Sequence, residues 1–123
     1  MDSDIAKIVN QLLEKTRASK ARWGVSSQSN TYQILLSPAQ ISIGTYISRL
    51  GARFYEFIIK NDNNGEIVER LACQDGTDDG NILKELYTAA KNAYTGKDLI
   101  LGSIFAKLEQ DEIGDDQTVD LPF

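Results

Sequence analysis

The sequence predicts an α+β domain, with helices covering one face of an antiparallel sheet, and three observations predict it. Apolar residues recur at helical spacing near the start of the chain, switch to a period of two between Trp23 and Leu71, and return to helical spacing after Gly80. The strand-like runs follow one another without a helical run between them, so strands and helices are segregated along the chain, as in α+β domains. The composition, 41% hydrophobic and 25% charged, is that of an ordinary soluble globular protein.

Each element has its own signal. Ile5, Ile8, Val9, Leu12 and Leu13 follow the cap-forming residues Asp2, Ser3 and Asp4, so residues 4 to about 19 read as an amphipathic helix. Tyr32, Ile34 and Leu36 alternate, then Ile41, Ile43 and Ile47, then the dense run Phe54 to Ile59, then Ile67, Val68 and Leu71. Four or five short antiparallel strands follow, broken at Ser26 to Asn30, at Ser37-Pro38, at Arg49 to Gly51 and at Asn61 to Gly65. Asn64-Gly65 is a hairpin signal, because both residues tolerate positive φ. Ile82, Leu83, Leu86, Tyr87, Ala90 and Tyr94 then define a helix with Asp78 or Asp79 as its cap and Gly96 at its C-terminal cap. Asp98 is expected to cap a last helix that turns Leu99, Leu101, Ile104, Phe105 and Leu108 inward.

The charge is unevenly spread. Residues 109 to 123 hold six acids (Glu109, Asp111, Glu112, Asp115, Asp116 and Asp120) and no Lys or Arg, more negative charge than the net of -5 for the whole chain. Residues 1 to 108 carry thirteen basic against twelve acidic side chains, about +1. A segment so acidic, with so few apolar groups, cannot offset the entropy of ordering itself. The expected organisation is one α+β domain over 1–108 and a flexible acidic tail over 109–123.

The final residues, Asp115-Asp116-Gln117-Thr118-Val119-Asp120-Leu121-Pro122-Phe123, resemble the C-terminal tip of bacterial single-stranded DNA-binding proteins, an acidic run ending in Asp, an aliphatic residue, Pro and Phe. The resemblance implies that Asp115, Asp116, Asp120, Leu121, Pro122 and Phe123 recruit a replication or repair protein, in a bacterial or mobile-element setting. Its physics is simple: the Phe ring brings a large apolar area, its carboxylate accepts charge-assisted hydrogen bonds, and Pro122 reduces the freedom lost on docking. Thr118 and Val119 stand where two acids usually complete the run. The body does not share the likeness: that family carries its tip on a five-stranded barrel, whereas this sequence predicts an N-terminal helix and a helical C-terminal third.

Several function classes are disfavoured. The chain has no His, which removes the usual general base near neutral pH, the commonest zinc ligand and any Cys-His nucleophile. No Gly-rich phosphate loop precedes a Lys-Ser or Lys-Thr pair. Asp75, Thr77 and Asp79 with Gly80 imitate the start of a calcium loop, but Leu86 stands where the bidentate Glu belongs. The sequence therefore predicts a non-enzymatic protein without cofactor or metal. The lone Cys73 cannot form an internal disulfide and fits a reducing cytoplasm. The apolar runs are far too short to cross a bilayer, and no basic leader precedes them, so the expectation is cytoplasmic with no membrane contact.

Two binding classes remain. Lys15, Arg17, Lys20 and Arg22 place four positive charges in eight residues just before Trp23, and cations beside an aromatic face suit single-stranded nucleic acid. On the sheet, one parity contains Tyr46, Phe54, Ile58 and Lys60, with Arg53 at the adjacent turn. The candidate nucleic-acid residues are thus Lys15, Arg17, Lys20, Arg22, Trp23, Arg53, Phe54 and Lys60. Basic residues in a last helical turn also complement the helix dipole, and a Trp can anchor a core. The alternative is a protein-interaction adaptor or inhibitor that binds no nucleic acid. The oligomeric state stays open, a homo-oligomer included.

Overall fold

In a computed structural model, which describes residues 1–114, the chain forms an N-terminal helix, a five-stranded antiparallel sheet and two later helices. Helix α1 spans Ser3–Arg17, capped by Asp2, whose side chain accepts from the Asp4 amide at 2.8 Å. Its buried stripe is Ile5, Val9, Leu12, Leu13 and Thr16. The helix stops at Arg17, two residues before the expected end, because Ala18 caps it and Ser19 takes a positive φ of 60°.

Strands β1 (Gly24–Val25), β2 (Thr31–Leu36), β3 (Ala39–Ile47), β4 (Arg53–Asn61) and β5 (Ile67–Gln74) pair in sequence order as a meander. Register fixes the two faces. Tyr32 lies opposite Ile43, Ile43 opposite Phe57, and Phe57 opposite Leu71, so one row of side chains crosses four strands on the covered face. Helix α2 (Asp78–Thr95) packs across β2, β3, β4 and β5, and α1 lies against α2. Phe57, Ile43, Leu83, Leu86 and Val9 are fully buried between these layers. Each such side chain contributes roughly 1.5–3 kcal/mol by leaving water. Tyr32, Tyr55, Tyr87 and Tyr94 form a ring-contact cluster between sheet and α2, with centroids 5.7–5.8 Å apart.

Two glycines mark close approaches. A Cβ at Gly80 would collide with the Gln74 carbonyl, so the first turn of α2 sits directly on the end of β5. A Cβ at Gly44 would collide with the Thr31 hydroxyl of the neighbouring strand. The β4–β5 connection runs from Asp62 to Glu66, with Gly65 at φ 73°, so the Asn64-Gly65 signal sits inside a longer loop than a two-residue turn.

Both later helices start differently from expectation. Thr77, not Asp78 or Asp79, caps α2: its backbone is extended and its hydroxyl accepts from the Gly80 amide at 3.0 Å. Asp78 and Asp79 lie in the first turn, where negative charge suits the dipole. Gly96, in the left-handed region at φ 69°, ends α2 and also begins α3 (Lys97–Leu108), so α3 has no side-chain cap and Asp98 lies within it. The inward apolar face expected of α3 is not found. Leu99, Leu101, Ile104, Phe105 and Leu108 are all exposed, because α2, with α1 against it, already packs across the sheet and α3 rests against α2.

Candidate interaction surfaces

The structure distributes the eight candidate nucleic-acid residues over several places. Lys15, Lys20 and Arg22 line an open groove of about 940 Å³ between α1 and β2, whose apolar lining includes Ile8, Leu12, Ile34, Leu35 and Leu36. Arg17 leaves this group: it faces Glu85 of α2 at 3.8 Å, an exposed pair that bridges the two helices. Such a pair adds little stability, about 0–1 kcal/mol.

Trp23 is the clear correction. Only 6% exposed, it belongs to the core, and its Nε1–H donates to Thr16 Oγ1 at 2.9 Å. Thr16 Oγ1 in turn donates to the Leu12 carbonyl at 2.6 Å, so the indole is locked to the last turns of α1. A buried, hydrogen-bonded indole has no free face for a base. The period-two signal that placed Trp23 near a strand could equally have assigned it inward.

The other candidates lie on the sheet. β4 directs Phe54, Glu56, Ile58 and Lys60 to the face opposite the helices, and cross-strand pairing sets Tyr46 beside Phe54, Ser42 and Arg70 beside Ile58, and Gln40 beside Lys60. Tyr46 and Phe54 stack with ring centroids 5.6 Å apart and an interplanar angle of 9°, and Tyr46 is 40% exposed. Arg70, which the sequence reading missed, joins this face. The only sequence signal for it was the β4–β5 register, which the longer loop obscures. Glu56 accepts from Arg70 Nε at 2.8 Å and lies 2.7 Å from its Nη2, holding the guanidinium pKa up through the hydrogen bond and the charge. A shallow depression of about 90 Å³ lies beside the pair, lined by Gln28, Ser42 and Gly44 among others.

Arg53 does not join Phe54 and Lys60. Alternation puts it at the helix-side parity, where Nη1 donates to Thr45 Oγ1 at 2.9 Å and Thr45 Oγ1 donates to the Phe54 carbonyl at 2.9 Å. Arg53 therefore braces the β3–β4 end of the sheet.

The described residues show a satisfied interior. Every buried side-chain polar atom among them has a partner, and no cluster of three or more acidic or thiol side chains among them could hold a metal ion. Cys73 is half-buried, and burial, helped by the charge of Asp79, pushes its thiol pKa up, the opposite of an activated nucleophile. No helix among the described residues is long and apolar enough to cross a membrane. The partner-binding candidates Asp115, Asp116, Asp120, Leu121, Pro122 and Phe123 lie outside the described residues.

Comparison with protein-family models, with curated proteins and with solved structures finds no match for this chain.

Proposed function

We propose that the protein is a small non-enzymatic accessory factor of DNA metabolism, whose body holds single-stranded nucleic acid weakly and whose C-terminal tip recruits a replication or repair protein. The observation that carries the body's part is the helix-free sheet face, with the stacked Tyr46–Phe54 pair at one end and Lys60 and Arg70 beyond it. Single-strand binders combine such a stacking platform with cations that follow the backbone. A body charge of about +1 and the Glu56–Arg70 pair keep the contact weak. Lys15, Lys20 and Arg22, when the acids after Leu108 do not occupy them, supply a second set of phosphate contacts on the α1 side. The recruiting part is supported by the likeness of Asp120-Leu121-Pro122-Phe123 to the single-stranded DNA-binding tip.

A second reading, an adaptor that binds proteins and no nucleic acid, is favoured by the burial of Trp23 and by the exposed apolar side chains of α3. One pair of experiments separates the two. Retention on single-stranded DNA cellulose that is lost at moderate salt supports the first reading. Its absence, together with protein capture that Phe123→Ala abolishes, supports the second. Absence of both sinks each.

A further inference from the structure

We propose that the protein forms a two-fold symmetric dimer in which α3 of each copy lies in the α1–β2 groove of the other. The starting point is the uncovered apolar surface of α3: Leu99, Ile100, Leu101, Ile104, Phe105 and Leu108 are all exposed, Leu99 by 69% and Phe105 by 65%, and the last five share one broad side of the helix. A helix with so apolar a stripe gains no stability from water on that side and needs a covering surface.

The groove on the same molecule has the complementary character. Its helix-side lining includes the half-buried Ile8 and the exposed Leu36 over the buried Leu12 and Ile34, while Leu35, paired with Gln40, has the parity of the other face and reaches the groove only at the strand edge. Its length along α1, from Ile8 to Ala18, is about 15 Å, and the twelve residues of α3 span about 18 Å at the helical rise. Charge then orients the helix. Lys15, Lys20 and Arg22 border the groove at the C-terminal end of α1, outnumbering Glu14 on the same rim, and Glu109, Asp111 and Glu112 directly follow α3. Pairing these groups places α3 parallel to α1, its acidic exit beside the three cations.

A second copy is the occupant the observations favour. Helix and groove are on every molecule, so a two-fold arrangement that docks each helix in the partner's groove uses both surfaces of both copies and closes the assembly. An anionic lipid surface is the alternative for an apolar helix, and the acidic residues after Leu108 repel it.

The test is sedimentation velocity of the full chain at micromolar concentration, with circular dichroism to verify folding. The native chain sediments as a dimer. Ile104→Glu with Phe105→Glu, which spoils the helix, and Leu36→Glu, which spoils the groove, each give monomers with native spectra, all three sites being exposed. Mixing the two variants restores a dimer through the one intact helix and the one intact groove, at least tenfold weaker than the native one. A native chain that stays monomeric, including one that binds anionic vesicles as a monomer, overturns the proposal. So does a dimer that Leu36→Glu leaves intact, which would mean that α3 pairs with α3.

Discussion

At Trp23, a hydrogen bond decides between stacking a base and anchoring a core. The donor on its indole meets Thr16 Oγ1, which keeps its own proton for the Leu12 carbonyl, so both polar atoms are satisfied inside the fold. Trp23→Phe removes the donor and is expected to cost about 1 kcal/mol, while Trp23→Ala costs about 3–5 kcal/mol by leaving a cavity. Urea denaturation measures both, and neither variant, at temperatures where it is folded, should alter nucleic-acid affinity. Cys73 gives a pH test at the same scale. Burial raises its pKa, so the thiolate that reacts is scarcer than in a free cysteine at any pH below that value. Its rate of alkylation by iodoacetamide should lag behind that of a cysteine peptide at pH 8 and level off at a higher pH than the peptide's. A rate equal to the peptide's would contradict the buried placement.

Among the elements, the start of α2 is held by a single side chain. Thr77→Ala loses the hydroxyl that accepts from the Gly80 amide and donates to the Gln74 carbonyl, and is expected to cost about 1 kcal/mol. Gly80→Ala, which drives a methyl into the Gln74 carbonyl, should cost more, and thermal melts of the two variants rank them. The order of these elements was legible in the sequence because period and burial coincide: Val9 and Leu13 in α1, Ile41 and Ile43 in β3, and Leu83 and Leu86 in α2 are all core residues at the expected spacing. Caps were less legible. Thr77, Asp78 and Asp79 are all good capping residues, and only the extended backbone at Thr77 selects among them. The direction of α3 was not legible at all, since spacing shows that a helix has an apolar stripe and not what covers it. For the candidate site the same limit applied. Strand parity correctly grouped Tyr46, Phe54 and Lys60, but which face the helices would leave open, and that Arg53 belongs to the other face, depend on tertiary packing.

For the whole molecule, the governing feature is its two-sidedness. Helices occupy one side of the sheet, the other carries the aromatic pair, and the acids concentrated after Leu108 are separated from a slightly basic body. In the proposed function these acids compete with nucleic acid for the body's cations. Deleting residues 109–123 should therefore tighten binding of single-stranded DNA at low salt and change it little at high salt, where screening removes the competition. An unchanged affinity at low salt would reject the competition. The central claim, that the helix-free sheet face is a nucleic-acid platform, is tested most directly by fluorescence anisotropy of a labelled oligothymidine titrated with the native chain and with Tyr46→Ala combined with Lys60→Ala. Loss of one stacking ring costs about 1–3 kcal/mol, so the account predicts salt-sensitive binding by the native chain and at least about tenfold weaker binding by the variant. Equal affinities for the two proteins, or no binding by the native chain even at low salt, would contradict it.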